Sequence, residues 1–349
     1  MQQAVKMFIV YIFVFVSASV KLSAQKTDDP GAYMTAINNT QVEMNKTYLA
    51  YMSQVAHSKN AKKIENMRQK TLESITNSKY KVIDLPYYKG DNSLRKSSID
   101  YIDLCYKVFN DDYAHIVNME EIAEQSFDEM QAYLLLKQKT NEKLHEAADS
   151  SENAARRFAA KYNVTLIEGG KDELNSKMDE ANKVYEYKDK IFLLFFKCNW
   201  QDGQITDAIN KNNLGNIVQS SNALAGYAKE GLAILDTIKG YKGDNSLKLA
   251  CKQALQFYQK LGETDIPKLS EFYLAQENFD KIKKSFDAKV AKDRTQQDVD
   301  AYNKAVNEVN AASNTYNRIN TNINNNRKQV VDNWNNANET FLDVHVPHY

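Results

Sequence analysis

Carboxylate–histidine pairs are the first residues in this chain to test for chemistry. A di-iron helix bundle takes a Glu-x-x-His from each of two helices and one more Glu from each of two others. Glu142-Lys-Leu-His145 fits that pattern once. The nearest second candidate, Asp112-Tyr-Ala-His115, lies about 45 Å away along a continuous helix, so the ligand set stays incomplete. The C-terminal run Asp343-Val-His345-Val-Pro-His348-Tyr349 carries two histidines and a carboxylate, a set that zinc accepts in principle. With no further ligand nearby in sequence and a proline in the run, it reads as the frayed end of the last helix. No metal centre and no cofactor is expected.

Nucleophilic chemistry has as little to stand on. The chain has no Gly-x-Ser-x-Gly, no Gly-rich phosphate loop, no His-Glu-x-x-His and no Cys-x-x-Cys, the spacings that place a nucleophile, a phosphate or a metal against its partners. Five histidines and three cysteines leave a Cys–His pair open, but no spacing points to one. Cys105, Cys198 and Cys251 each sit among apolar residues at helical spacing and read as small buried side chains. A Cys198–Cys251 bridge is the one pairing worth weighing after export. No catalytic residue is assigned, and a non-enzyme is expected.

The elements that would position such residues begin after residue 24. Lys6, the apolar run Met7 to Val16 and the small-residue ending Leu22-Ser23-Ala24 form a secretory leader, 1–24, with cleavage expected after Ala24. The run is too short for a membrane span of about 20 residues, and no later segment reaches that length. Without a cysteine at the cleavage site, a lipoprotein anchor cannot form there. Lys plus Arg and Asp plus Glu are 45 each, so no net field draws the chain to nucleic acid or anionic lipid. There are 11 glycines and 4 prolines, against about 24 and about 17 for average usage; so few turn formers imply long helices.

One heptapeptide is written twice. Tyr88-Lys89-Gly90-Asp91-Asn92-Ser93-Leu94 recurs as Tyr241-Lys242-Gly243-Asp244-Asn245-Ser246-Leu247, and ungapped flanks place Ile64 over Ile217, Val82 over Leu235 and Ile102 over Leu255. A period this long marks a duplicated unit rather than a solenoid, with copies expected at 25–168 and 169–349. Gly90 and Gly243 suit the left-handed conformation that ends a helix, and Asp91, Asn92, Asp244 and Asn245 can cap the helix that follows. Lys89, Gly90, Asp91 and Asn92, with Lys242, Gly243, Asp244 and Asn245, are therefore a structural turn motif joining antiparallel helices. The Lys-Gly-Asp tripeptide also occurs in cell adhesion, but a turn already demands these residue types. Tyr80, Tyr87, Tyr88, Tyr101, Tyr106 and Tyr241 near the turns are read first as packing side chains and second as the lining of a glycan or peptide groove.

Apolar periodicity predicts helices at 33–58, 61–84, 93–110, 114–162, 171–211, 214–239, 246–262, 267–292 and 296–343. Met119, Ala123, Phe127, Met130 and Leu134 form one stripe, so the segment from Asp111 to Asn163 is expected to be a single rod of about 75 Å. Ala305, Val309, Ala312, Tyr316, Ile319, Ile323, Asn326 and Val330 keep a coiled-coil rhythm, with Asn326 as the one amide in the seam, before a shift to Trp334, Ala337 and Phe341. The fold class expected is all-α: two tandem antiparallel long-helix bundles with coiled-coil-like packing.

The repeated turn, the following helix with Tyr106, the segment Asn110-Asp-Asp-Tyr113 and the ending Phe341-Leu-Asp-Val-His-Val-Pro347 resemble the uncharacterised leptospiral-type surface protein family, whose members are also expected in Bacteroidetes-like bacteria. The resemblance covers nearly the whole mature chain. It implies a helical protein at or near the bacterial surface and brings no activity, cofactor or catalytic residue. The function expected is an exported, non-enzymatic periplasmic or cell-surface module whose partner is an envelope or extracellular protein or glycan. The alternative is a bundle holding a glycan, haem or ion in the groove between the copies.

Overall fold

The computed structural model describes residues 13–14, 28–58, 60–117, 126–168 and 173–349. The expected leader lies outside them except for Phe13 and Val14, as does Gly169-Gly170-Lys171. The protein is all-α. Its helices are α1 (Pro30–His57), α2 (Ala61–Ile83), α3 (Ser93–Val117), α4 (Phe127–Lys161), α5 (Glu173–Asn210), α6 (Leu214–Thr237), α7 (Ser246–Lys260), α8 (Ile266–Asp287) and α9 (Gln296–His345). A π turn, Leu261–Asp265, joins α7 to α8. The strands among the described residues are a two-residue antiparallel pair, Phe13–Val14 with Ile167–Glu168.

Packing divides the chain into two compact units, Met1–Tyr187 with Glu339–Tyr349, and Lys188–Asn338. These borders describe packing; the copies read at 25–168 and 169–349 describe the sequence repeat, and the two divisions differ because α5 and α9 each contribute to both units.

In the first unit Asp29 starts α1, its Oδ1 accepting from Gly31 N–H at 2.7 Å, with Pro30 in the first turn. The buried face of α1 (Tyr33, Ile37, Met44) shares one apolar core with Ile75 and Val82 of α2. Small hydroxyl residues line this contact: Ser78 donates to the Thr40 carbonyl at 2.9 Å and Thr71 to the Thr47 carbonyl at 3.2 Å. Tyr33, Tyr88, Phe158 and Tyr162 form an aromatic cluster, with centroids 4.6–5.7 Å apart. A ring as fully buried as Phe158 contributes about 1.5–3 kcal/mol.

The single helix expected over 114–162 is interrupted at Ser126, and residues 118–125 lie outside the described residues. α3 runs through Asp111–Tyr113 to Val117, and Ser126, in an extended conformation, accepts the Glu129 N–H at 3.1 Å to begin α4. Ser126-Phe127-Asp128-Glu129 has the residue types of a capping box, a local start signal that the apolar stripe concealed. Met119 and Ala123 lie outside the described residues, while Met130 is buried as expected.

In the second unit Ile191, Cys198 and Ile205 of α5, Leu224 and Leu235 of α6, and Leu247, Leu255 and Tyr258 of α7 form the core. Trp334 stacks on Phe195 at 4.5 Å. Ala305, Ile319 and Ile323 of α9 are buried as the rhythm requires, but Asn326 is exposed. Arg327 takes the inward place, Nε and a terminal nitrogen donating to the two oxygens of buried Asp202 at 2.6 and 2.8 Å. The seam of this unit therefore runs through 323, 327, 330 and 334 without the expected shift. Arginine's long apolar stem can occupy a core position while its head reaches an acid on α5.

The π turn has a local cause. Pro267 has no N–H to give the preceding turn and its ring crowds that backbone, and the chain widens just before it, with Ile266 N–H reaching the Leu261 carbonyl. There Gly262 touches α6 backbone to backbone: a Cβ at this position would lie 2.6 Å from Ser221 O and 2.9 Å from Ala225 N.

All three cysteines are free. Burial pushes the Cys105 and Cys198 thiols up to about 12 and Cys251 higher still. Since the thiolate is the reactive form, a disulfide reagent at neutral pH is expected to modify all three readily in urea, but in the native protein to reach half-buried Cys105 first and buried Cys198 and Cys251 only very slowly. Rapid native labelling of Cys198 or Cys251 would contradict this burial.

Candidate functional site

The repeated turns do structural work, and both do it identically at the backbone. Lys89 (φ 48°) and Gly90 (φ 81°), like Lys242 (φ 49°) and Gly243 (φ 92°), are left-handed. Tyr88 and Asp91 exchange two backbone bonds at 3.0 and 2.8 Å, and Tyr241 and Asp244 do so at 2.9 and 2.8 Å. Two consecutive positive φ values closed in this way make a type I′ turn, tighter than the helix-ending glycine expected. Asp91 and Asp244 then accept from Ser93 and Ser246 N–H at 2.9 and 2.7 Å, while the Asn92 and Asn245 carbonyls take the first helical bonds. A basic residue one turn on, Arg95 or Lys248, donates to carbonyls at the end of the preceding helix.

Nothing lies within 4 Å of a Cβ built at Gly90 or Gly243, so Gly90→Ala is expected to cost about 1–2 kcal/mol from conformation alone. Lys89→Asn, a residue that tolerates this region better, should stabilise the unit. Urea unfolding of the two variants checks both signs.

Asp91 does more than turn the chain. Its Oδ2 accepts from Lys161 Nζ at 2.7 Å and Tyr162 OH at 3.2 Å at the end of α4. The Lys161 ammonium, then the Ser93 bonds, hold its carboxyl well below the ordinary carboxylate range. A folded value below the unfolded one stabilises the protein above about pH 4, and that contribution is lost as the pH falls further.

The aromatic residues near the turns split. Tyr88 and Tyr101 are buried, whereas Tyr80, Tyr87 and Tyr106 are exposed. His145, the histidine of the single Glu-x-x-His, is mostly buried and lies 3.7 Å from Asp149.

The cluster with metal-type donors is one that the sequence order hides. The C-terminus does not fray: Phe341 and Val346 are buried, Val346 N–H donates to the Leu342 carbonyl at 2.9 Å, and Tyr349 N–H donates to Ser53 Oγ at 3.1 Å. Burial of Val346 explains the difference from expectation, because an apolar anchor past the last turn holds the tail down. This brings Asp343 and His348 to His57, the last residue of α1. His57 Nδ1 lies 2.8 Å from Asp343 Oδ1, its Nε2 lies 3.0 Å from the Val346 carbonyl, and its ring stacks on that of His348 at 3.7 Å. One donor atom from each of His57, Asp343 and His348 lies within 4.8 Å of the other two. The His57 side chain is 12% exposed and that of Asp343 63%, so the site is enclosed at His57 and open at Asp343. Two imidazoles and a carboxylate can hold a borderline divalent cation or share a proton. His57 is separated from Asp343 by nearly the whole chain, and no sequence spacing signals the pairing.

Comparison of the chain with protein-family models, with curated proteins and with solved structures finds no match.

Proposed function

We propose that this is an exported, non-enzymatic helical protein, periplasmic or at the bacterial surface, that serves as a binding or structural module for an envelope or extracellular protein or glycan. The observation that carries the proposal is a ladder on α9. Asn303, Asn307, Asn310, Asn314 and Asn317 recur at alternating spacings of four and three, and all are exposed. Asparagine is a poor helix former, about 0.5 kcal/mol worse than alanine in a helix interior, because its amide competes for backbone bonds. Five such residues on one solvated face oppose helix stability, so selection for folding does not account for them. Carboxamides carry donors and acceptors without charge, which suits hydroxyl-rich glycans and polar protein surfaces.

Balanced charge supports a partner that is neither nucleic acid nor anionic membrane. Among the described residues no helix is long and apolar enough to cross a membrane. The matched turns and the matched asparagine caps of α2 and α6, Asn60 and Asn213, which accept from Lys63 and Asn216 N–H, support descent from one duplicated unit. The leader reading supports export.

Protein recovered from its host is expected in the envelope fraction, beginning at Gln25 and retained on isolated envelope material. A chain that keeps residues 1–24 and stays in the cytosol would overturn the proposal.

A further inference from the structure

We propose that His57, Asp343 and His348 form a divalent-metal site of the zinc class that fastens the C-terminal tail to the end of α1. The first argument is electrostatic. A carbonyl oxygen only accepts, so the 3.0 Å contact with Val346 places a proton on His57 Nε2. With that proton in place, Nδ1 turns its lone pair toward an Asp343 oxygen 2.8 Å away. Two lone pairs face each other there unless a cation lies between them, and that cation is a proton or a metal ion.

The second argument separates these two. A proton needs only His57 and Asp343, and it leaves His348 with nothing but its ring stacking on His57. His348 nevertheless brings a third donor within 4.8 Å of the other two, which completes the three protein ligands of an open zinc site whose fourth position is left to water. The Nε2–carbonyl bond is the outer contact that fixes the orientation of a metal-ligating imidazole. Two nitrogens and one oxygen suit zinc, whereas magnesium and calcium prefer all-oxygen sets.

Binding requires a defined adjustment. Zinc bonds of about 2.0–2.2 Å set neighbouring donors farther apart than the present 2.8 Å, and two imidazoles sharing an ion cannot remain stacked in parallel. His57 is fixed by burial. Asp343, exposed in the last turn of α9, and His348, exposed beyond it, have side chains with room to turn.

The test is a titration of Zn2+ and, separately, Mg2+ into tag-free, chelator-treated full chain, followed by native mass spectrometry, calorimetry and thermal unfolding. The expected result is one Zn2+ per chain, a raised unfolding midpoint, and no response to Mg2+. His348→Ala and Asp343→Asn alter exposed side chains and should fold. Each is expected to weaken Zn2+ binding by more than about tenfold, the least that loss of even an outer partner costs, and to abolish the rise in midpoint. Absence of stoichiometric Zn2+, or equal affinity in wild type and His348→Ala, would overturn the proposal and leave the proton as the shared cation. Neither outcome bears on export or on the α9 face.

Discussion

Arg327→Ala is expected to destabilise the unit spanning Lys188–Asn338 by about 3–5 kcal/mol, because it leaves the carboxylate of Asp202 buried without its counter-ion. Asp202 is 4% exposed at the side chain and Arg327 is 25% exposed, so water cannot replace the lost guanidinium on the acid's side. The bidentate geometry makes lysine a poor substitute. A second variant separates charge from packing. Asp202→Leu combined with Arg327→Met removes both charges and fills a similar volume, and such replacements are neutral or stabilising elsewhere. Urea unfolding followed by circular dichroism should therefore show a deep loss for the single variant and recovery of most of it in the double. A mild single-variant effect would mean that Asp202 finds water and that the pair is not a core contact.

Gly262→Val should rank next. Any Cβ at this position meets Ser221 O at 2.6 Å and Ala225 N at 2.9 Å, and both are backbone atoms, so no side chain can swing away. α6 and the π turn must separate, which costs about 1–3 kcal/mol for overpacking. The Ser221 Oγ bond to the Gly262 carbonyl, 2.7 Å long and buried, is also put at risk. Gly203 and Gly226 provide the control. They sit in helices with nothing within 4 Å of a built Cβ, so alanine at either should stabilise by about 0.5–1 kcal/mol. Opposite signs for the same type of substitution would show that contact, and not helix propensity, governs Gly262.

Much of the helical plan was legible because its signals are local. Asn60 and Asn213 announce the starts of α2 and α6, scarce glycine and proline require long helices, and the repeated heptapeptide locates both corners. The type I′ geometry was harder to see, since lysine is an unusual residue to find left-handed at Lys89 and Lys242. Ser126 and Glu129 carried a readable start signal that a continuous apolar stripe outweighed. Asn326 was placed in the seam by counting; a one-residue change of phase puts Arg327 there, and only the position of Asp202 on another helix decides between them. His57 was out of reach, because its meaning comes from a chain end folded back onto α1. The asparagine ladder was visible as spacing, but which face of α9 is buried had to be known before its exposure carried meaning.

The face of α9 is tested most directly by changing it in the direction that helps folding. Asn310→Ala, Asn314→Ala and Asn317→Ala combined should leave the helix as stable as before or stabilise it by about 0.5 kcal/mol per site, while abolishing retention of the protein on isolated envelope material. Retention undiminished in a fully folded triple variant would contradict the account.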